Sequence, residues 1–174
     1  MIRTIKDIID KDGKIIIKEL EKNSKVRIDK IAEKCGFSRR KVWKIIRRFE
    51  RERIIWGYHA VVDKEKLKIK QYIILIKREA KPPNDTINKI INFTVNTNKQ
   101  EIGVDIHCSS YIHGYYDWMF VFTANDLRHA KKFSELLLKE FKYMVSEIHL
   151  MEDILSVKKC GIINPNLQNN RESV

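Results

Sequence analysis

The sequence predicts an α+β protein of two domains, because charge and residue pattern both change near residue 60. Residues 1–58 hold 18 basic and 9 acidic residues, whereas residues 71–174 hold 13 and 12. Apolar residues recur at helical spacing in the first part, and strand-like runs alternate with two helical ones in the second. A basic domain joined to a nearly neutral one indicates two separate tasks. We expect domains at 1–58 and 71–163, a hinge strand and linker at 59–70, and a polar tail at 164–174.

Several function classes are disfavoured by what the sequence lacks. No apolar run approaches the roughly 20 residues that a membrane span needs, and residues 1–14 lack the uninterrupted apolar region of a signal peptide. Three scattered cysteines without a C-x-x-C pair are typical of reduced thiols in a cytoplasmic protein. Zinc-protease, Walker A and nucleophile-elbow motifs are absent. We therefore expect no catalytic residues, no cofactor and no metal.

The first domain begins with two predicted helices. Residues 1–11 carry isoleucines at helical spacing, and packing on a partner subunit is the simplest role for this helix. A second helix is predicted over residues 12–22, with Ile16, Ile17 and Leu20 facing inward. Asn23 and Ser24 then end it.

A steep helix–helix corner is predicted next. Ile28 to Cys35 forms a two-turn helix, and Gly36 follows where a left-handed residue is needed, since a Cβ there costs about 1–2 kcal/mol. Ser38 is a good N-cap for the following helix. The small Ala32 allows close approach, while Val42 and Ile45 supply apolar contacts beyond the turn. This spacing is typical of a helix-turn-helix.

The helix after the corner, over residues 38–53, has two opposed faces. Val42, Ile45, Ile46 and Phe49 form one apolar stripe. The opposite face is basic, and the segment holds eight basic and two acidic residues. Like charges on one helix repel each other, so the natural partner is a polyanion, although a merely solvated basic face is the plainer alternative. The flanking Trp43 is expected to pack or to touch a DNA sugar edge.

Residues 38–47 are expected to enter the major groove of DNA, which accommodates one α-helix. Three side chains on the basic face are the candidates for contacts with base edges: Arg40, Lys44 and Arg47. Phosphate contacts are predicted for Lys41, Arg48, Arg51 and Arg27. Ser38 and Arg39, at the start of the helix, complete the predicted DNA-binding set.

A strand is predicted over residues 54–63, which are rich in β-branched and aromatic residues. The run IAEKCGFSRRKVWKIIRRFERERIIWGYHAVVD, within residues 28–63, resembles the winged-helix-like DNA-binding domain and hinge strand of the Lrp/AsnC family of transcription regulators. That family usually has glycine before the isoleucine pair, where this chain has Arg53. Arginine there costs about 1 kcal/mol if the left-handed helix end persists; otherwise the helix ends differently.

The second domain is predicted to be ferredoxin-like, with the order β-α-β-β-α-β. Strands are expected at 72–76, 102–113, 116–123 and 145–157, and helices at 85–96 and 126–142. Ile87, Ile90, Ile91 and Thr94 form the expected inner stripe of the first of these helices. Strict alternation is expected along 102–113, with Val104 and Cys108 on one face and His107 and His113 on the other. Two helices cover one sheet face, so pairing through the other face predicts a homodimer.

This half resembles the ligand-sensing (RAM) domain of the same family, through the G-x-Y-D motif Gly114-Tyr115-Tyr116-Asp117. The resemblance implies that an amino acid or related effector binds near this turn, between subunits. Backbone N–H groups of a tight turn suit a carboxylate, and Asp117 suits an ammonium group. Gly114, Tyr116 and Asp117 are therefore effector-site candidates. A hairpin cap is an equally compatible role for Asp117.

The resemblance implies a cytoplasmic regulator that binds double-stranded DNA as a homodimer, with assembly to an octamer left open. One enzymatic alternative has the same two-domain plan: a siroheme decarboxylase, in which histidine and arginine hold a tetrapyrrole. The intact G-x-Y-D motif and the basic helix favour the regulator. His149 and Met151, on the strand expected to face the turn, disfavour leucine as the effector.

Overall fold

The structure is a computed structural model that describes residues 9–79, 85–96 and 102–167. The chain divides into two compact units, one formed by the chain up to Val61 with Val157–Leu167, the other by Val62–Ser156. Residues 157–163, expected in the second domain, thus pack with the first unit. Most of the helix predicted over residues 1–11 lies outside the described residues. Within them, no helix is long and apolar enough to cross a membrane.

Three helices build the first unit: α1 (Lys11–Lys22), α2 (Ile28–Cys35) and α3 (Arg39–Arg51). Asp10 caps α1 by accepting a hydrogen bond from the Gly13 N–H at 2.7 Å. A Cβ at residue 13 would lie 2.5 Å from the Phe49 ring, so glycine permits the close approach of α1 to α3. The core is apolar throughout and consists of Ile16, Ile31, Ala32, Val42, Ile45, Ile46 and Phe49.

The turn between α2 and α3 is the predicted helix-turn-helix corner. Gly36 is left-handed, with φ of 67°. No atom lies within 4 Å of the Cβ that residue 36 lacks, so backbone conformation rather than space requires glycine. The Ser38 hydroxyl accepts a hydrogen bond from the Lys41 N–H at 3.3 Å. The predicted left-handed residue and N-cap are both confirmed.

The left-handed end of α3 persists although residue 53 is arginine. Arg53 has φ of 55°. Its N–H donates to the Glu50 carbonyl at 3.2 Å, and the Ile54 N–H donates to the Phe49 carbonyl at 2.9 Å. These two bonds form a Schellman motif, which satisfies the last carbonyls of the helix. Arg53 therefore adopts a conformation that costs a residue with a Cβ about 1 kcal/mol more than glycine.

The strand predicted over residues 54–63 is wrong, because no residue of this segment lies in a strand. The segment has no ladder partner among the described residues, and Trp56 is 94% exposed. Its β-branched and aromatic composition suits a strand, but a strand also needs a neighbour that accepts and donates backbone hydrogen bonds. A short hairpin that the sequence did not predict, β5 (Lys158–Lys159) with β6 (Ile162–Ile163), lies in this unit.

The second unit confirms the order β-α-β-β-α-β. Its elements are β1 (Lys70–Arg78), α4 (Thr86–Asn96), β2 (Val104–Tyr111), β3 (Trp118–Ala124), α5 (Leu127–Glu140) and β4 (Val145–Glu152). The four strands are antiparallel in the order β2-β3-β1-β4. β4 ends five residues before the predicted boundary at residue 157.

An aromatic core joins the sheet to α4 and α5. The rings of Phe120, Phe122 and Phe133 are fully buried, and the Phe122 and Phe133 centroids lie 4.8 Å apart. The predicted inner stripe of α4 is wrong in part, because Ile87 is 63% exposed and Ile91 51% exposed. Ile90 contacts the core as predicted, and the helix is rotated so that Phe93 contacts it as well. Leu127, the first residue of α5, is exposed.

A β-bulge in β2 overturns the predicted strict alternation. Ile106 pairs with Phe122, but the next pair is Cys108 with Val121, so His107 is the extra residue. An extra residue exchanges the two faces beyond it. Ser109 consequently turns to the core side, where it accepts a hydrogen bond from the Trp118 Nε1 at 3.0 Å.

Candidate nucleic-acid interface and strand-end cluster

The α3 helix separates a buried face from a charged one, as its sequence predicts. Val42, Ile45, Ile46 and Phe49 are buried, while the basic residues of the helix are exposed apart from the half-buried Arg48. The helix begins directly after the left-handed corner, so its first two turns carry several cations near the N-terminus. Such a surface fits an anionic partner.

Most cations of this surface are already paired with acidic side chains of the same unit. The Lys41 Nζ lies 2.6 Å from Asp12, and the Arg39 Nε lies 3.2 Å from Asp29. Exposed pairs of this kind contribute about 0–1 kcal/mol, so they exchange readily for another anion. The remaining pairs are Arg27 with Asp29 at 3.4 Å, Arg47 with Glu50 at 3.3 Å, Arg48 with Asp10 at 3.5 Å and Arg51 with Glu52 at 4.0 Å.

Arg40 and Lys44 differ from the other cations of α3. Both are exposed, and neither has an ion-pair partner among the described residues. They are four residues apart and therefore lie on one face, one turn above the other. Two exposed positive charges on adjacent turns form a surface that suits an anion.

Arg48 is less accessible than a phosphate-binding residue is expected to be. Its side chain is only 33% exposed, and it lies between Asp10 and the Phe49 ring, whose centroid is 5.1 Å from its Cζ. Its Nε is buried with no hydrogen-bond partner in the described part of the chain. Sequence reasoning missed the acidic partners Asp10 and Asp12, because helical periodicity within α3 says nothing about which residues α1 brings beside it.

Trp43, Arg47, Glu50 and Tyr58 form a small network on the flank of α3. The Arg47 guanidinium lies 5.8 Å from the centroid of the Trp43 ring, which is 48% exposed. The Tyr58 hydroxyl donates to the Glu50 carboxylate at 3.1 Å. Burial, and then this hydrogen bond, raise the pKa of Tyr58 above its ordinary value. Trp43 thus packs against the domain only in part.

In the second unit, the G-x-Y-D turn is tied to the end of β1. The Asp117 carboxylate accepts hydrogen bonds from the Arg78 backbone N–H and from the Arg78 Nε, both at 3.0 Å. The Asp117 N–H donates to the Ile76 carbonyl at 2.9 Å. Asp117 therefore links β1 to the turn, a contact that the sequence did not reveal because it joins residues 39 positions apart.

Aromatic and charged residues surround this turn and form what we call the strand-end cluster. The Tyr116 ring lies 5.6 Å from the His149 ring and 5.0 Å from the Tyr115 ring. The Lys77 Nζ lies 4.1 Å from the centroid of the Tyr115 ring and 3.1 Å from Glu147. Hydrogen bonding to Lys77 lowers the pKa of Glu147. The predicted proximity of His149 to the turn is thus observed.

No metal-binding arrangement is present in the described ranges. Nowhere in them do three or more histidine, cysteine, aspartate or glutamate side chains lie together in a group that could hold a metal ion. His107 contacts the Thr123 hydroxyl at 3.0 Å through its Nε2.

A family of known proteins matches the helical part of the first unit. Residues 10–55 match the family described as winged helix-turn-helix DNA-binding. A search of proteins with curated functions finds no significant match. The matched residues contain α1, α2 and α3, so the match agrees with the helix-turn-helix corner of the first unit.

Solved structures extend the likeness to most of the chain. A protein named PH0061 is 20% identical, with a TM-score of 0.71 over 89% of this chain and 98% of that one. An AsnC family transcriptional regulator from Agrobacterium tumefaciens is 15% identical, with a TM-score of 0.66 over 91% and 99%. A transcriptional regulator from Neisseria meningitidis in complex with L-Met is 15% identical, with a TM-score of 0.62 over 87% and 93%. The chain has the two-domain fold of Lrp/AsnC regulators.

Proposed function

We propose that this chain is a sequence-specific, DNA-binding transcriptional regulator of the Lrp/AsnC type that acts in the cytoplasm. The observation that carries the proposal is the exposed pair Arg40 and Lys44, which has no acidic partner among the described residues. It lies on the helix that follows a helix-turn-helix corner, in a domain that matches a DNA-binding family. The proposal assigns the chain no catalytic reaction.

The N-terminal half of α3, from Ser38 to Arg47, enters the major groove in this proposal. Arg40 and Lys44 contact base edges directly, since no other contact has to be broken first. Arg47 also reaches a base edge, but it has to leave Glu50. Arg39, Lys41, Arg51 and Arg27 exchange their acidic partners for phosphates, while the half-buried Arg48 contributes least.

We further propose that the active species is a homodimer, or a larger even-numbered assembly such as an octamer. The sheet face opposite α4 and α5 carries Ile73, Leu75, Met119 and Val121, which are only half-buried. Burial of such a face in a second copy is energetically favourable. A dimer also brings two α3 helices to one duplex, as two half-sites require.

An amino-acid-like effector at the turn of Gly114, Tyr116 and Asp117 is the last part of the proposal. The Neisseria meningitidis regulator of similar fold was solved with L-Met, which makes a small amino acid a reasonable first probe. Asp117 already binds Arg78, so an ammonium group at this carboxylate has to share it with the guanidinium.

A gel-shift titration on the promoter region of the chain's own gene tests the proposal, with a tetrapyrrole absorbance titration run in parallel. We expect a shifted complex whose affinity falls steeply with salt, by about 0.9 in log–log slope for each phosphate contacted. Tetrapyrrole binding without a salt-dependent shift would contradict the proposal.

A further inference from the structure

The first unit contains a cavity that the DNA-binding function does not explain. It has a volume of about 260 Å³ and lies beside α3, within the helix-turn-helix domain. Its wall is aliphatic and comes from all three helices and the segment before α2: Leu20, Val26, Ile28, Ile31 and Ile46. An enclosed, dry apolar cavity of about 150 Å³ binds benzene in another protein, whereas this pocket is larger and open to solvent on one side. This one is large enough for a phenyl ring with a short side chain.

The rim of the cavity is aromatic and charged. The indole of Trp43 and the ring of Tyr58 line it, together with Arg47 and Glu50. Glu50 already accepts hydrogen bonds from Arg47 at 3.3 Å and from Tyr58 at 3.1 Å. Each of its two oxygens therefore already accepts one hydrogen bond, which uses about half of the acceptor sites of the carboxylate.

Arg47, on the rim, has N–H donors that its hydrogen bond to Glu50 does not use. A guanidinium has five N–H donors, and one hydrogen bond to Glu50 uses one of them. The Arg47 Cζ lies 5.8 Å from the centroid of the Trp43 ring, and the side chain is 64% exposed, so its other donors can reach a ligand. A planar guanidinium edge suits a carboxylate, which it binds with two parallel hydrogen bonds. An apolar wall beside a guanidinium with unused donors thus favours a ligand that has both a hydrocarbon part and a carboxylate.

We propose that this cavity binds a small apolar monocarboxylate, with its hydrocarbon part against the aliphatic wall and its carboxylate on Arg47. Binding there places a negative charge on a side chain that the proposed function directs to a base edge. The ligand therefore lowers DNA affinity, and this second statement alone rests on the proposed function. The site is distinct from the strand-end cluster, which lies in the other unit.

Binding is tested on the full chain without DNA, using 3-phenylpropanoate and its neutral amide as probes. The chain has three tryptophans, so three indole N–H signals are expected in an NMR spectrum. We expect the Trp43 signal to shift with 3-phenylpropanoate at concentrations on the order of 1 mM, while Trp118, buried in the other unit, does not respond. Binding of the amide is expected to be about tenfold weaker, since it lacks the charge-assisted contact.

Two variants assign the contacts. Ser24→Phe fills the mouth from an exposed position outside the proposed DNA contacts, and we expect it to abolish the Trp43 shift. Arg47→Ala is expected to make carboxylate and amide bind equally weakly. Unchanged binding in Ser24→Phe, or equal binding of the two probes by the parent chain, would overturn the proposed site.

The effect on DNA is measured separately by fluorescence anisotropy with saturating 3-phenylpropanoate. We expect roughly a tenfold loss of DNA affinity in the parent chain and no loss in Ser24→Phe. If the ligand binds and DNA affinity does not change, the coupling to Arg47 is wrong. Failure of the parent chain to bind any duplex would instead count against the proposed function and leave the binding result standing.

Discussion

The two units of this chain treat their charges in opposite ways. In the second unit the charged groups of the strand-end cluster satisfy one another: Asp117 binds Arg78, and Lys77 binds Glu147. In the first unit, cations outnumber their acidic partners along α3, and Arg40 and Lys44 are left without one among the described residues. A balanced cluster stabilises its own fold, whereas an unbalanced one stabilises a complex with an anion. The difference supports the proposal that the first unit recognises nucleic acid.

The two units also have separate hydrophobic cores. The substitution with the largest expected loss of stability tests whether the two units unfold independently. Phe49 is fully buried in the first unit, so Phe49→Ala is expected to cost about 3–5 kcal/mol of unfolding free energy. The resolved indole signals report each unit on heating, Trp43 in the first and Trp118 in the second. We expect the Trp43 signal to disappear at a much lower temperature, with the Trp118 signal little changed.

Phe133→Ala is the matched variant, because this ring is fully buried in the second core. It should reverse the order in which the two indole signals are lost. A parallel loss of both signals in either variant would mean that the two units unfold as one body.

The balanced cluster of the second unit is broken by Asp117→Ala. The change leaves the Arg78 backbone N–H and guanidinium without their acceptor, and a hydrogen bond to a charged group contributes about 1.5–3 kcal/mol. We expect the second unit to lose free energy of unfolding in that range or somewhat below it, since both side chains are partly exposed. The loss is measured by chemical denaturation in a chain that also carries Trp43→Phe and Trp56→Phe. In that chain the fluorescence reports Trp118 alone.

The exposed Asp105 provides the control for that experiment. Asp105→Ala removes the same charge from the same sheet at a side chain that is 76% exposed. An equal loss in both variants would show that net charge, rather than the link from the turn to β1, stabilises the unit.

A substitution at the left-handed end of α3 is expected to raise the free energy of unfolding by a smaller amount. Arg53 is left-handed, so Arg53→Gly is expected to stabilise the first unit by about 1 kcal/mol. Arg51→Gly changes the same residue type within the helix and should destabilise it by about 1 kcal/mol. Thermal unfolding followed by circular dichroism distinguishes the two, and destabilisation by both would mean that Arg53 makes contacts that outweigh its strain.

The smallest expected effect on stability comes from replacing an acidic side chain of the first unit. Asp12 lies 2.6 Å from Lys41, and an exposed pair of this kind contributes about 0–1 kcal/mol. Asp12→Ala should therefore change stability little, while freeing Lys41 for phosphate. We expect DNA affinity to rise by up to about fivefold, measured by anisotropy at fixed salt. A fall in affinity would place Asp12 in a supporting role instead.

The sequence predicted the parts that local rules determine. Gly36, Ser38 and the stripe from Val42 to Phe49 follow from turn chemistry and helical periodicity, and the structure has them as expected. The bulge at His107 and the rotation of α4 toward Phe93 depend on neighbouring strands and on core packing, which no local period encodes. For the same reason, the sequence did not reveal the partners of the site residues, which are Asp10 and Asp12 beside α3 and Arg78 beside Asp117.

The most direct test of the account is the preference of α3 variants for a specific duplex over a scrambled one. The double variant Arg40→Ala, Lys44→Ala removes the two cations of α3 that have no ion-pair partner among the described residues. The double variant Lys131→Ala, Lys132→Ala removes two exposed cations from the second unit. Fluorescence anisotropy at matched salt gives the affinities for both duplexes. We expect the first double variant to lose its preference, at about 1–3 kcal/mol for each base contact, and the second to keep it. Equal losses in the two double variants would contradict the assignment of DNA recognition to α3.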